Sequence, residues 1–418
     1  MMARLDALAA GLAELGCEAL LVVAAAADDT DLAPFLPRAA HLGECFLVLP
    51  RGGEPRLGFL TLMEREEAAA TGLALLTPDD LDISKLSSEL TEAAPFLSRV
   101  WAKALELCGL RPGRIALAGH GPAGVIQGAC ALLAAQGWIW VPGNSLVFAS
   151  RQRKEAPELA GIREAAAGTC EAMRAVAALL AAASHDGPGS VLRLAGEPVT
   201  VGRLRKEVER VFSARGLTQP RGNILAPAEE GAVPHNAGTP ERALRAGESL
   251  VVDLYPRGDR LFADCTRTFF VGGCVGQPAE PFARAHAAVR AAVEEVHRLA
   301  VPGVRGWDLQ ELVCARFADL GYPTPISAPG TTRGYVHNLG HGVGFDLHEF
   351  PTFKKASGAE GVLRVGDVFT IEPGLYEPAP GEGQAGWGVR IEDLVHLGPD
   401  GLESLTPLPY DPDPQAWV

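Results

Sequence analysis

SLVVDLYPRGDRLFADCTRTFF, residues 249–270, is the stretch on which the reading of the chain turns. Two runs of Val, Leu, Phe and Thr flank the turn Arg257-Gly258-Asp259, so the spacing predicts an antiparallel hairpin. Each run carries an aspartate, Asp253 and Asp264, among residues that belong in a core. Folded about that turn, the eleven-residue gap between them brings both carboxylates to one face of a two-stranded ribbon. Like charges side by side in apolar surroundings repel unless a cation lies between them.

Three further residues of the same kind follow in order: His341 in HNLGHGVGF, Glu372 in FTIEPGLY and Glu392 in GVRIEDLV. Four carboxylates and one imidazole form a hard, oxygen-rich ligand set, with enough negative charge for a pair of divalent ions. The segment around His341 also holds His337 and His348, with Gly340, Gly342 and Gly344 between them. Glycines at that density speak against a regular helix and let the backbone come close to a ligand or another segment. Glu372 follows an apolar strand and precedes a Pro-Gly turn. Arg390 stands two residues before Glu392, on the same side of a strand, where it can orient a carboxylate. Taken together, these residues point to a two-metal hydrolase.

At 418 residues the chain is too long for one ordinary core, and two domains are expected. Hydrophobic residues at 47% and charged residues at 21% are the balance of a soluble globular protein. The net charge is −14 and no basic stripe is present, which argues against a nucleic-acid partner. Eight cysteines (Cys17, Cys45, Cys108, Cys130, Cys170, Cys265, Cys274 and Cys314) form no C-x-x-C pair and read as reduced thiols of a cytoplasmic protein. Asp6 and Glu14 interrupt the first residues where a signal peptide needs an apolar run, and LLVVAAAA at 20–27 is too short for a membrane span.

Residues 1–150 read as an alternating α/β unit. Helices are expected at about 3–16, 88–107 and 122–136, and strands within 20–27, 45–50, 56–62, 114–119 and 138–142. His41 and His120 are isolated there. The charged run 151–155 precedes a long Ala-rich helix over about 155–183, so the boundary is placed between domains 1–152 and 153–418. Helices at 280–300 and 306–320 separate the hairpin from the histidine segment.

The order D…D…H…E…E, carried by VVDLYP, FADCTRTF, GHGVGFDLHE, TIEPGLY and GVRIED, resembles the prolidase and aminopeptidase P family of pita-bread metallopeptidases. RKEAPELAGIREAA also resembles that family's entry into its catalytic domain. The resemblance implies an α+β pita-bread catalytic domain preceded by a smaller α/β domain of the creatinase type. It implies that Asp253 binds one ion, that His341 and Glu372 bind the other, and that Asp264 and Glu392 bridge them. Mn²⁺ is the first choice on hardness, with Co²⁺, Zn²⁺ and Fe²⁺ as alternatives. Glu372 is also the expected proton carrier. His235, in VPHNAG, and His348 match substrate-side histidines, and His337 lines the pocket beside them.

The implied activity is hydrolysis of a terminal peptide bond in short peptides, Xaa-Pro dipeptides foremost, by a homodimer. Prolidases usually carry an arginine before the first metal-binding glutamate. FKKASGAEGVLRVGD offers Lys354, Lys355 and Arg364 instead, with Gly358 near the expected spot. Upstream, Arg333 in TTRGYVHNLGH, with Tyr335 close by, is a candidate clamp for a substrate carboxylate. That clamp would make the enzyme a dipeptidase or a metallocarboxypeptidase. Aminopeptidase P action, a creatinase-like amidinohydrolase and a ligand-binding protein without chemistry rank behind.

Overall fold

The structure is a computed structural model that describes residues 2–37, 40–272, 280–355, 358–378 and 386–418. Cys274 and residues 356–357 of the FKKASG stretch lie outside the described residues. The chain divides into two compact units, Met1–Arg151 and Gln152–Val418, one residue before the boundary expected from sequence.

The first unit is built on a six-stranded sheet. Its strands are β1 (Ala19–Ala24), β2 (Cys45–Pro50), β3 (Arg56–Phe59), β4 (Ala74–Leu76), β5 (Arg114–Gly119) and β6 (Ile139–Pro142), in spatial order 4-3-2-1-5-6. β1 is buried along its whole length, as its unbroken ALLVVA run demands of a central strand. The helix expected at 88–107 is two helices, Ile83–Glu89 and Ala93–Leu107. Pro95 explains the break: its ring would meet the carbonyl of residue 91 in a continuous helix, yet it is tolerated in the first turn of a new one.

The second unit opens with the helix Ala156–Ala181. A short ribbon follows, β7 (Arg193–Leu194) with β8 (Glu197–Pro198), and then β9 (Ile224–Pro227), β10 (Ser249–Leu254) and β11 (Cys265–Phe270), in order 11-10-9. β10 and β11 pair antiparallel, Asp253 opposite Thr266 and Leu254 opposite Cys265. The connection between them is longer than a tight turn and is pinched by a bridge between Arg257 and Phe262.

Beyond the helices Phe282–Leu299 and Gly306–Asp319 come β12 (His341–Gly342), β13 (Glu349–Thr352), β14 (Val368–Ile371), β15 (Gly374–Glu377), β16 (Trp387–Arg390), β17 (Asp393–Gly398) and β18 (Gly401–Ser404). β13-β12-β14-β17-β18 form one sheet, and β15 pairs with β16 separately. The stretches DVFTIEPGLY and WGVRIEDLVHL are therefore each two strands. Ile371 faces Asp393 and Gly374 faces Arg390 in one continuous register, so the interruption sets Glu372 opposite Glu392. Pro373 has no N–H to give the ladder. The glutamates bond elsewhere, Glu372 N to Leu339 O at 2.8 Å and Glu392 N to Thr266 O at 3.0 Å.

Val289, Val293, Phe317, Phe353, Phe369 and Val395 are among the buried residues of the core against this surface. The seven described cysteines are free thiols. Among the described residues no helix is long and apolar enough to cross a membrane.

Candidate metal centre

The gap in the β14–β17 ladder is where the acids meet. Donor atoms of Asp264, His341 and Glu392 all lie within 4.8 Å of one another. His341 Nε2 is 3.3 Å from Glu372 Oε1 and 3.7 Å from Asp264 Oδ2. Asp253 approaches from β10. The β10–β11 register places Asp264 across from residue 255, two along from Asp253, so both carboxylates share a face.

Glycines make His341's position possible. A Cβ on Gly340 would lie 2.1 Å from Thr370 O, and one on Gly342 would lie 1.9 Å from Phe350 O. Only bare backbone fits between β13 and β14 there. His341 Nδ1 pairs with Gly342 O at 3.1 Å, which makes Nδ1 the protonated nitrogen and leaves the Nε2 lone pair facing the acids. A lone pair aimed at carboxylates is repulsive without a cation and correct for a metal ligand.

Two threonine hydroxyls orient the glutamates. Arg390 Nε donates to Thr266 Oγ1 at 3.1 Å, so the Thr266 proton goes to Glu392 Oε2 at 2.7 Å. His341 N donates to Thr370 Oγ1 at 3.1 Å, and that hydroxyl donates to Glu372 Oε1 at 3.3 Å. Arg390 also donates to Asp253, Nη2 to Oδ2 at 2.6 Å. Its Nη1 donates to Tyr376 OH at 2.9 Å. The tyrosine hydrogen then goes to His337 Nε2 at 2.9 Å, while His337 Nδ1 donates to Asn338 O at 2.8 Å. Both ring nitrogens of His337 are thus engaged within the protein.

Arg390 is the one cationic side chain bonded to the four acids among the described residues, so their charge is only partly compensated. Asp253 Oδ1 and Asp264 Oδ1 are buried with no hydrogen-bond partner. Burial, with the charges of Glu392, Asp253 and Glu372 added, pushes Asp264 well above the usual carboxylate range. Burial, together with Glu372 and Asp253, does the same to Glu392. Glu372 is pushed up to about 7, chiefly by burial and further by Asp253, against the pull of Arg390. Burial drives His341 down to about 3 and His337 down to about 3. These are the shifts expected where four acids share a buried space with no divalent cation among them. The donor set fits divalent metal: hard oxygens, one correctly tautomerised imidazole, and two open carboxylate oxygens.

Around this core, His348 meets His341 edge-on, with ring centroids 4.3 Å apart, and burial lowers its pKa. His235 is exposed and close enough for its charge to depress both His337 and His348. Its loop is held by Arg390 Nη1 on Pro234 O at 3.3 Å. Tyr335, expected to meet substrate, is 0% exposed in the core. Its hydroxyl donates to Gln310 Oε1 at 3.1 Å and its ring backs His337, so it supports a site residue and offers no surface of its own. Arg333 is 64% exposed, 3.8 Å from Glu377 Oε2. It lines a cavity of about 220 Å³ together with Arg284, Tyr322, Tyr376 and Trp387. Lys355 stacks near Trp307 and Arg364 caps Ala359 O.

Sequence reading missed Thr266, Thr370 and Tyr376. The signal was strand alternation: Thr266 is two residues after Asp264 and Thr370 two before Glu372, each on its ligand's face.

Comparison with known proteins gives the family and the fold. Residues 160–399 match the model of metallopeptidase family M24. The chain is 32% identical over 215 residues to the Xaa-Pro dipeptidase of Pyrococcus furiosus, covering 50% of this chain and 56% of that protein. The chain thus spans about half the length of the curated relatives it matches. Among solved structures, the prolidase from Pyrococcus horikoshii superposes with a TM-score of 0.72 at 22% identity, over 96% of this chain and 97% of that one. The Xaa-Pro dipeptidase from Bacillus anthracis superposes with a TM-score of 0.73 at 20% identity, over 98% of each. With the α+β pita-bread fold and the family match in agreement, the chain belongs to metallopeptidase family M24.

Proposed function

We propose that this protein is a dinuclear metal-dependent exopeptidase that hydrolyses a terminal peptide bond in short peptides, with Xaa-Pro dipeptides the leading substrate. The observation that carries the reading is the convergence of Asp264, His341 and Glu392 within 4.8 Å, beside two orphaned carboxylate oxygens. Asp253, Asp264, His341, Glu372 and Glu392 would hold two divalent ions, Mn²⁺ first. Such ions supply Lewis acidity and a water that ionises near neutral pH.

The chain's own groups do the rest. Glu372 would take a proton on its carboxylate and pass it towards the leaving amine. His348, kept neutral by burial, and His235 donate to the scissile carbonyl oxygen as charge develops there. Arg390 and Tyr376 keep Asp253 and His337 in place.

Relatives named Xaa-Pro dipeptidase support the substrate guess. A second reading, a metallocarboxypeptidase, rests on Arg333, whose cavity shares Tyr376 with the metal centre. A guanidinium there would clamp the free carboxylate of a peptide. Product analysis separates the two. A prolidase-like enzyme splits Xaa-Pro and leaves tripeptides intact, whereas a carboxypeptidase releases the last residue of a tripeptide and cuts an N-blocked dipeptide. Arg333→Ala raises KM about tenfold or more if the clamp operates, and an unchanged KM removes it. The reading includes a cytoplasmic homodimer, checked for assembly by light scattering.

A further inference from the structure

The first residues of the second unit reach the segment that carries the site's histidines. Lys154 Nζ donates to Glu349 Oε1 at 2.5 Å and to Gln152 O at 3.1 Å. Neither charged side chain of the pair has any solvent exposure, although 195 positions separate them. Glu349 follows His348 directly and opens β13. Its second oxygen accepts from Asp346 N at 3.3 Å and closes the turn just before His348. The packing there has no slack: a Cβ on Gly344 would lie 2.3 Å from Glu349 Oε1 and 2.8 Å from Lys154 Cε.

The same short segment is stitched to the turn that feeds β14. Lys154 N donates to Gly366 O at 2.9 Å, and Gln152 Nε2 donates to Asp367 Oδ2 at 3.1 Å. Residues 152–154 therefore tie together the approach to His348 and the approach to Thr370 and Glu372.

We propose that Lys154 is a positioning residue of the hydrolytic site, which acts through Glu349 to set the place of His348 against His341. It rests on the reading above, in which His348 steadies the scissile carbonyl. A buried ion pair is weak evidence for a stabilising role, because a neutral pair of similar volume is often as stable. What distinguishes this pair is its location, with one end at the start of the unit and the other beside His348.

The double variant Lys154→Met/Glu349→Gln tests it in the full chain, since removing both charges leaves no uncompensated ion. The expected protein melts near the unaltered one and binds Mn²⁺ with the same stoichiometry. Its kcat on an Xaa-Pro dipeptide falls about tenfold to a hundredfold while KM changes less than about threefold. A crystal structure of the variant shows His348 displaced from its 4.3 Å contact with His341. If the double variant does not fold, Lys154→Leu/Glu349→Gln, which likewise removes both charges with a smaller side chain at residue 154, is read by the same two measurements. A folded variant with kcat within about twofold and His348 unmoved overturns the proposal. Should the unaltered protein cleave no peptide, the functional reading fails, and the position of His348 in the variant still decides this one.

Discussion

Asp31 in the first unit and Asp264 in the second are both buried carboxylates, at 0% and 4% exposure, and the chain surrounds them differently. Asp31 Oδ2 accepts from Gly119 N at 3.1 Å and from Asn144 Nδ2 at 2.8 Å, and Oδ1 faces Arg151 Nη1 at 3.3 Å. Every lone pair that matters has a donor from the protein, and the carboxylate staples the end of β5 in place. Asp264 instead keeps Oδ1 without a partner and faces three other acids. The same contrast recurs between neighbours on one strand edge. Asp393 is held by Arg267 Nη2 at 2.7 Å, His297 Nε2 at 3.1 Å and Tyr410 OH at 2.5 Å, and its pKa is lowered despite burial. Glu392, one residue earlier, is driven up. Asp31 and Asp393 are satisfied by donors from the protein, whereas Asp264 keeps an oxygen open beside three other acids.

That contrast can be broken by mutation. Asp264→Asn alters the ligand proposed to bridge the two ions and should lower kcat/KM on the order of 10³-fold with the fold intact, seen by circular dichroism beside peptide assays. Full activity in this variant would end the bridging role. Thr266→Val removes the hydroxyl that aims Glu392. It should weaken Mn²⁺ binding or activity about 10- to 100-fold, with Thr266→Ser restoring most of it. In the first unit the effect moves from chemistry to stability. Asp31→Asn should cost about 1–2 kcal/mol in denaturant unfolding and leave metal stoichiometry unchanged. An Asp31→Asn protein that lost its metal would show that the two kinds of burial are not separate.

The parts legible in the sequence were those written in strand alternation. Asp253 and Asp264 stand out because they interrupt period-two apolar runs, and Arg390 because it shares a face with Glu392. Thr266 and Thr370 share faces with ligands too, but threonine is an ordinary strand residue and carries no mark of its role. The break at Glu372 was signalled by Pro373-Gly374, but nothing of the kind marks the facing break at Glu392, which Asp393 follows directly. Tyr335 was placed beside the Arg333 clamp as a substrate contact; its ring packs against Phe317 at 5.3 Å, and burial outweighed the hydroxyl. The break before Pro95 was readable in principle, since a proline three residues into a helix marks a start.

The most direct test of the central claim compares the melting temperature of chelator-treated and Mn²⁺-loaded protein across pH. Glu372 is pushed up to about 7 in the folded metal-free protein, and Glu392 and Asp264 are also raised. The folded state then holds protons that the unfolded chain releases above about pH 4–4.5. Stability from these groups is present below that pH and is lost as pH rises through the folded values. The metal-free protein should therefore melt at steadily lower temperature from about pH 5 to about pH 8, while the loaded protein does not, so the gap widens. Two curves that run parallel, or coincide, would contradict the account.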